Sequence, residues 1–313
     1  MLKLPKVFVG VPTFNRLDNL AQALDNLKIQ TYRNLYIFVS DNASNDINAW
    51  ENIVDKYKGD IRFKFYRQKK NIGFIENSRF LLSMADGKYF MWAADDDIID
   101  KTFIEKAVIK LEENPKAVIS FAGWEVEDLI TSPPIRRDFS NFVNELPSAD
   151  RYIRLRNYLV QPDYYGKARI LWGLIRLDAL NKCYSLAYAN VFGCADLTMA
   201  ELPVEFYLMS EGDLVLVPEK LFTFRLLPSS EGLREGAIFN RRELEMCSRT
   251  YDAYARAVKT FELSHVQKKE LNKILFFSRL KSITRIIPYY FIRKYSPTLA
   301  RICKWIWFRL LVK

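Results

Sequence analysis

The sequence predicts an α/β fold: a doubly wound, mostly parallel sheet with helices on both faces, followed by a C-terminal helical segment. Three observations predict it. Through the first hundred residues, short apolar runs alternate with stretches of helical period. Each apolar run ends in a polar loop rich in Asp, Asn, Pro or Gly. From about Gly236 the pattern turns helical and stays so to the end of the sequence.

The first apolar run, 7–11, is closed by Pro12, and comparable runs follow at 35–39, 61–66 and 89–93. Helical period fills 17–29, 47–57 and 74–85 between them. Strands joined by such helices lie parallel, because each crossover carries the chain back to the edge it started from. The spacing predicts a further helix over 101–112 and a strand over 117–121. The segment 124–166 loses clean periodicity and carries Pro133, Pro134, Pro147 and Pro162, which predicts a loop-rich stretch. Order returns at 169–174, then comes a helix from about 197 to 209 and a strand over 214–217 stopped by Pro218. The final helical segment is expected to break at Pro288 and Pro297. Residues 1–230 therefore form one body, divided near residue 100 into two halves, and residues 231–313 form an appendage.

Half of the 313 residues are hydrophobic and 27% are charged, enough apolar surface for a packed core and too much for a disordered chain. The net charge of +10 is localised. Residues 266–313 hold 12 of the 47 Lys and Arg against one acid, Glu270, which leaves 35 basic and 36 acidic residues elsewhere. A near-neutral body with a basic, aromatic tail points to an anionic membrane surface and indicates no specific nucleic acid. The tail's Phe276, Phe277, Tyr289, Tyr290, Phe291, Trp305, Trp307 and Phe308 fit a segment lying among lipid headgroups, and fit equally a helical cap packed on the body. Cys183, Cys194, Cys247 and Cys303 have no metal or disulfide spacing. With no signal-like start and no bilayer-length apolar stretch, the expectation is a cytoplasmic protein, peripheral on the inner face of the cell membrane.

In open parallel sheets ligands bind beyond the carboxyl ends of the strands, which singles out the loops at 13–16, 41–46, 70–73 and 95–97. Asp95, Asp96 and Asp97 repel one another unless a cation neutralises them, and oxygen-only ligands suit Mg²⁺ or Mn²⁺. A helix cap before Lys101 and Thr102 is the bland alternative. Asp41 and Asn42, within Ser40–Asp46, can hydrogen-bond a base or ribose or simply cap the next helix. Arg16 can face phosphate or solvate a helix start. Asp196, on residues alone, reads as an ordinary N-cap, and His265 as a helix surface residue.

These loops, in this order, resemble the family 2 glycosyltransferases. The matching segments are VGVPTFNR ending at Arg16, VSDNASND (39–46), NIGFIENSR (71–79), FMWAADDDIID (90–100) and GCADLTMAELPVEFYLMSEGDLVLVPEKLFTFRL (193–226). The resemblance implies a GT-A fold and an inverting transferase that uses a nucleotide-diphosphate sugar, most commonly a UDP-sugar; the membrane-directed tail motivates the expectation of a glycan or lipid-linked acceptor. It implies Pro12, Thr13 and Arg16 beside the nucleotide, Asp41 and Asn42 at base and ribose, and Asn71, Gly73 and Arg79 on the diphosphate side. Asp95–Asp97 overlie the D-x-D metal motif. Asp96 is the expected ligand for Mn²⁺ or Mg²⁺, Asp97 or Asp95 assists, and one of them contacts the donor sugar. Asp196 is implied as general base. Ala94 stands where relatives carry a carboxylate, and Leu226 and Leu227 where many carry a histidine after the arginine matching Arg225. Metal is then held more weakly, or Arg225 with Ser229 and Ser230 serves the diphosphate instead. A non-catalytic sugar-nucleotide-binding protein is the alternative; a sugar-phosphate nucleotidyltransferase would need a Gly-rich loop that Val9-Gly10-Val11-Pro12 does not supply.

Overall fold

The computed structural model describes residues 4–130, 132–139, 144–161, 167–190, 201–227 and 241–295, with backbone alone for 168, 241–244, 246 and 284–295. The strands are β1 (Val7–Thr13), β2 (Leu35–Asp41), β3 (Phe63–Arg67), β4 (Tyr89–Trp92), β5 (Ile98–Ile99), β6 (Ala117–Asp128), β7 (Ile135–Asp138), β8 (Leu174–Arg176) and β9 (Asp213–Leu226). The helices are α1 (Leu17–Lys28), α2 (Ile47–Tyr57), α3 (Phe74–Ser83), α4 (Phe103–Glu113), α5 (Arg151–Val160), α6 (Leu177–Asn190), α7 (Glu201–Glu211), α8 (Arg241–Thr260) and α9 (His265–Tyr295). A 3₁₀ turn, Lys167–Trp172, precedes β8.

One sheet runs in the order β3-β2-β1-β4-β8-β6-β9-β5, with β7 paired to β6. β3, β2, β1 and β4 are mutually parallel, as their helical crossovers require, and beyond β4 the sheet is mixed. Every residue of β1 is buried, which a central strand covered on both faces demands, whereas edge strand β3 alternates between buried and exposed residues. α1 buries Leu17, Leu20, Ala23, Leu24 and Leu27, one face at helical spacing. Asp46 caps α2 by accepting a hydrogen bond from the Ala49 amide at 2.9 Å.

The structure corrects three expectations. The described parts of 124–166 hold more regular structure than the prolines suggest: β6 continues to Asp128, β7 pairs back on it, and α5 is capped by Asp150 at the Ile153 amide, 2.9 Å. Pro133 and Pro134 fall in the turn between β6 and β7, where they interrupt no ladder. β9 does not stop before Pro218 but runs on to Leu226. Its register with β6 jumps from Val217 opposite Ala122 to Lys220 opposite Gly123, so Pro218 sits in a bulge where its missing N–H costs no ladder bond. Finally, the helical backbone of α9 passes through Pro288 to Tyr295, since a proline removes one helical hydrogen bond without obliging the chain to leave the helix. Residues 191–200, expected to open a helix at 197, and Pro297 lie outside the described residues.

The C-terminal helices pack on the body. α8 buries Cys247, Tyr251, Tyr254, Ala257 and Val258. Tyr254 meets Phe206 of α7 with ring centroids 4.8 Å apart. α9 buries Leu271 and Leu275, and Arg279 reaches Asp252 of α8 at 2.8 Å. Behind them the buried Glu205 of α7 accepts from the Tyr158 hydroxyl at 2.9 Å and the Leu171 amide at 3.1 Å, with the Tyr254 hydroxyl 3.5 Å from that of Tyr158. Arg154 of α5 donates to the carbonyls of Met209, Ser148 and Ala149 and stitches α5 to the end of α7. Among the described residues no helix is long and apolar enough to cross a membrane.

Candidate active site

The carboxyl ends of β1, β2 and β4 lie side by side because these strands are neighbours in the parallel part of the sheet. Thr13, the last residue of β1, is paired with Asp41, the last of β2, and the Asn42 amide donates to the Thr13 carbonyl at 2.9 Å. The two loops are also tied by the Asn15 amide to Ser44 Oγ and by the Asn45 amide to Asn15 Oδ1, both 2.7 Å. Each loop carries a left-handed non-glycine residue, Asn15 at φ 55° and Ala43 at φ 63°. Such backbone costs about 1 kcal/mol or more and persists where surrounding bonds over-determine it.

The loop after β2 satisfies itself. The buried Asp41 carboxylate accepts from the Ser44 amide and hydroxyl and from Arg67 at the end of β3. Arg67 also donates to the Ser44 carbonyl at 2.6 Å. Asn42 extends the network: its Nδ2 donates to Asn71 Oδ1 at 2.8 Å, and its Oδ1 accepts from the Ile72 amide at 2.9 Å. Asn71 Oδ1 in turn accepts from the Gly73 amide at 2.8 Å. Gly73, at φ 84°, makes the left-handed entry into α3, whose N-terminus is thereby aimed from the same end of the sheet.

The loop after β4 is different. Asp95 is fully buried, accepts from Thr13 Oγ1 at 2.7 Å and meets Arg16 Nη2 at 2.8 Å. Arg16 Nη1 binds Asp96 Oδ2 at 2.7 Å, so one guanidinium bridges two adjacent carboxylates. Asp97 Oδ1 accepts the Arg225 amide at 3.1 Å, and the Arg225 side chain reaches back to the Asp96 carbonyl and, at 3.2 Å, to Gln22. Burial, reinforced by the neighbouring Asp96, pushes the Asp95 carboxyl up to about 7 although Arg16 opposes the shift. Burial raises Asp97 as well, opposed by Arg169.

Thr13, Arg16, Asp95, Asp96, Asp97 and Arg225 are thus brought into one cluster, and Asp41, Asn42, Asn71 and Gly73 into a second beside it. Pro12 is buried in β1 opposite Ser40. Arg79 stands apart from the acidic loop: it pairs with Glu76 at 2.9 Å and lies 4.0 Å from the Tyr188 ring centroid. Asp196, Ser229 and Ser230 lie outside the described residues.

Three participants were missed by sequence reasoning. Arg67 could have been found, since it ends a strand at the ligand-binding edge. Arg169, in the 3₁₀ turn, lies 4.5 Å from the Phe224 ring centroid and is the cation felt by both Asp97 and Glu201. Glu201, in the first turn of α7, is pushed up to about 7 by burial against the opposing charge of Arg169. In sequence an acid there reads as a complement to the helix dipole.

The acidic loop offers oxygen donors alone, which suits Mg²⁺ or Mn²⁺. Two of its carboxylates already share one positive charge, that of Arg16, a fit to a cation held by Asp95 and Asp96. Among the described residues no three acidic, His or Cys side chains converge as a ready-made metal cage. A divalent ion on one or two carboxylates completes its shell with water and ligand phosphates.

The description of glycosyl transferase family 2 matches residues 8–171. A GalNAc(5)-diNAcBac-PP-undecaprenol beta-1,3-glucosyltransferase of Campylobacter jejuni is 28% identical over 187 residues, 54% of this chain and 59% of the relative. S. aureus TarS 1-349 in complex with UDP-GlcNAc superposes with a TM-score of 0.65 at 14% identity, over 88% of this chain and 73% of that one. The mannosyltransferase PcManGT of Pyrobaculum calidifontis, in complex with GDP-Man and Mn²⁺, gives 0.59 at 14% identity, over 100% of this chain and 82% of that one. At such identities the structures speak for the fold, and the fold is GT-A. The chain spans 18%, 20% and 34% of the length of three curated relatives it matches.

Proposed function

The chain belongs to glycosyl transferase family 2, and from that premise we propose that it is an inverting glycosyltransferase moving a sugar from a nucleotide-diphosphate donor to a hydroxyl of a glycan or lipid-linked acceptor. The observation that carries the proposal is the pair Asp95 and Asp96 sharing one cation at the end of β4, beside the Asp41–Asn42 loop. Pro12, Thr13, Arg16, Asp41 and Asn42 form the nucleotide wall, and Asn71, Gly73 and Arg225 its diphosphate side, to which Arg79 is assigned by resemblance alone. Asp96, with Asp97 or Asp95, would hold Mn²⁺ or Mg²⁺, which when bound would supply positive charge to the departing diphosphate. A UDP-sugar is the first donor to test, since TarS is described in complex with UDP-GlcNAc. The PP-undecaprenol acceptor in the name of the C. jejuni relative supports a lipid-linked saccharide.

In the transfer step the acceptor oxygen bonds to the anomeric carbon as the bond from that carbon to the diphosphate oxygen breaks. The electron pair leaves with the diphosphate, and the acceptor proton passes to a carboxylate. One displacement inverts the anomeric centre. By resemblance the proton acceptor is Asp196. Glu201 is a second reading for that role, favoured by its partly buried place near Arg169 and its raised carboxyl, basic enough to accept a proton near neutral pH. Residues 1–230 are the catalytic domain, with 1–100 as its nucleotide half and 101–230 as its acceptor half, and 266–313 bring it to the cytosolic face of a membrane.

The test is a thermal-shift panel of UDP, GDP, TDP and CMP with and without Mn²⁺, on wild type and Asp96→Ala, followed by transfer assays of Asp196→Asn and Glu201→Gln. Stabilisation by one diphosphate that requires metal and vanishes in Asp96→Ala supports the donor site. Of the two carboxyl variants, the one that binds nucleotide but does not turn over identifies the base. Nucleotide binding without turnover in the wild type would instead favour a non-catalytic sugar-nucleotide-binding protein.

A further inference from the structure

α9 has two unlike faces. Leu271 and Leu275 point inward and are buried, while Ser278 donates to the Leu159 carbonyl of α5, Arg279 pairs with Asp252, and Glu270 pairs with Arg156 at 3.5 Å. These ties fix the rotation of the helix about its axis. The opposite face carries Val266, Lys269, Lys273, Phe276, Phe277 and Leu280, spaced three, four, three, one and three residues apart. At 3.6 residues per turn they occupy roughly a third of the circumference. Val266 is 72% exposed, Phe276 64%, Phe277 56% and Leu280 48%, and Lys269 and Lys273 are exposed between them.

Two adjacent phenylalanines more than half in water are costly, at about 25 cal/mol per Å² of apolar surface, unless something covers them. The charge around them says what does. Glu270, which faces Arg156, is the last acid in the sequence, and everything beyond it is basic, apolar or uncharged polar. The face interleaves aromatic rings with lysines, and the carboxylate at its border, the exposed Glu270, is paired with Arg156, so the surface complements an anionic bilayer. The helix is too polar to span one, so it lies in the plane of the headgroups.

We propose that this outward face of α9, with Phe276 and Phe277 as its inserting side chains and Lys269 and Lys273 as its headgroup contacts, is the surface on which the protein docks to an anionic lipid bilayer. The inference rests on the peripheral-membrane part of the functional reading and narrows it to one face of one helix. The buried side of α9 holds the protein, and the exposed side holds the membrane.

Co-flotation of the full chain with vesicles of phosphatidylcholine alone, or with 30% phosphatidylglycerol, tests it on wild type, Phe276→Ser/Phe277→Ser and Lys269→Glu/Lys273→Glu. The expected result is binding to the anionic vesicles only, weakened at least tenfold by either double variant. Both variants should keep the wild-type melting temperature to within a few degrees, since none of the four side chains is buried. Wild-type binding that both variants retain would overturn the proposal while leaving a membrane role to other residues. No binding by the wild type would overturn both. A dimer in light scattering that dissociates in the Phe variant would assign the face to a second copy of the chain and overturn it as well. Vesicle binding is read without donor or acceptor, so it stands or falls apart from catalysis.

Discussion

The loops after β2 and β4 begin alike and end differently. Each follows a parallel strand, and each sets a fully buried aspartate against an arginine from elsewhere in the chain. Asp41 is surrounded by donors from its own loop and by Arg67, so its charge is met from within. Asp95 sits against two further carboxylates, and burial outweighs the help of Arg16 and Thr13, leaving its carboxyl raised to about 7. The first loop is built to hold its own shape. The second crowds three carboxylates together, with one guanidinium shared between two of them, and acids so perturbed at a strand end are where a functional site is sought.

The largest effect should come from breaking the second loop. Asp96→Ala is expected to lower sugar transfer about 1000-fold while changing the melting temperature of the free protein little, because it removes charge that the fold does not need. Transfer kinetics and melting on the same preparation check this; a large stability loss with modest kinetic change would reverse the contrast. Arg67→Met tests the other side. It leaves Asp41 buried with its remaining partners alone, and should cost about 2–4 kcal/mol in a denaturant titration, with or without metal.

Glu201 sharpens the comparison through pH. Its carboxyl rises from an ordinary 4.5 to about 7 in the folded protein, so the folded state holds the proton more tightly than the unfolded one. Stability therefore falls as pH rises from about 4.5 to about 7 and stays low above that. Glu201→Gln removes this penalty and should be more stable than wild type at pH 8 by roughly 1–3 kcal/mol, with the gap closing towards pH 5. Parallel melting curves at both pH values would contradict the assignment. The smallest effect is expected for Ala43→Gly, which relieves the left-handed backbone in the self-satisfied loop for a gain of about 0.5–1 kcal/mol. A loss of stability would show that the alanine methyl packs usefully there.

Legibility of the fold followed locality. β1 to β4 and their loops could be read because each is a continuous apolar run ending in polar residues, all within a short window of sequence. β9 was truncated in the reading because the tolerance of Pro218 depends on a bulge against β6, a partner about a hundred residues away. The site shows the same limit. The residue types at 13–16, 41–46 and 95–97 pointed to strand ends that the sheet sets side by side, yet the bridge from Arg16 to Asp95 and Asp96 spans about 80 residues and only the sheet order creates it. Arg169 and Glu201 were unreadable because neither forms a pattern with its sequence neighbours; each acquires meaning from the other. Arg79 was read as a site residue from its place in a motif; its contacts with Glu76 and the Tyr188 ring are made by the fold and are not legible in that motif.

The hydroxyl of Tyr254, 3.5 Å from that of Tyr158 and backed by Glu205, has a genetic consequence. A nonsense mutation anywhere from 241 to 253 would remove more than a helical appendage. It would strip the cover from Phe206 and open a buried carboxylate to water at the middle of α7, the helix that begins with Glu201. Shortened alleles of this kind should therefore behave as loss-of-fold alleles, and a transferase freed of its C-terminal helices while keeping its activity would have to be engineered with a new apolar lid in their place.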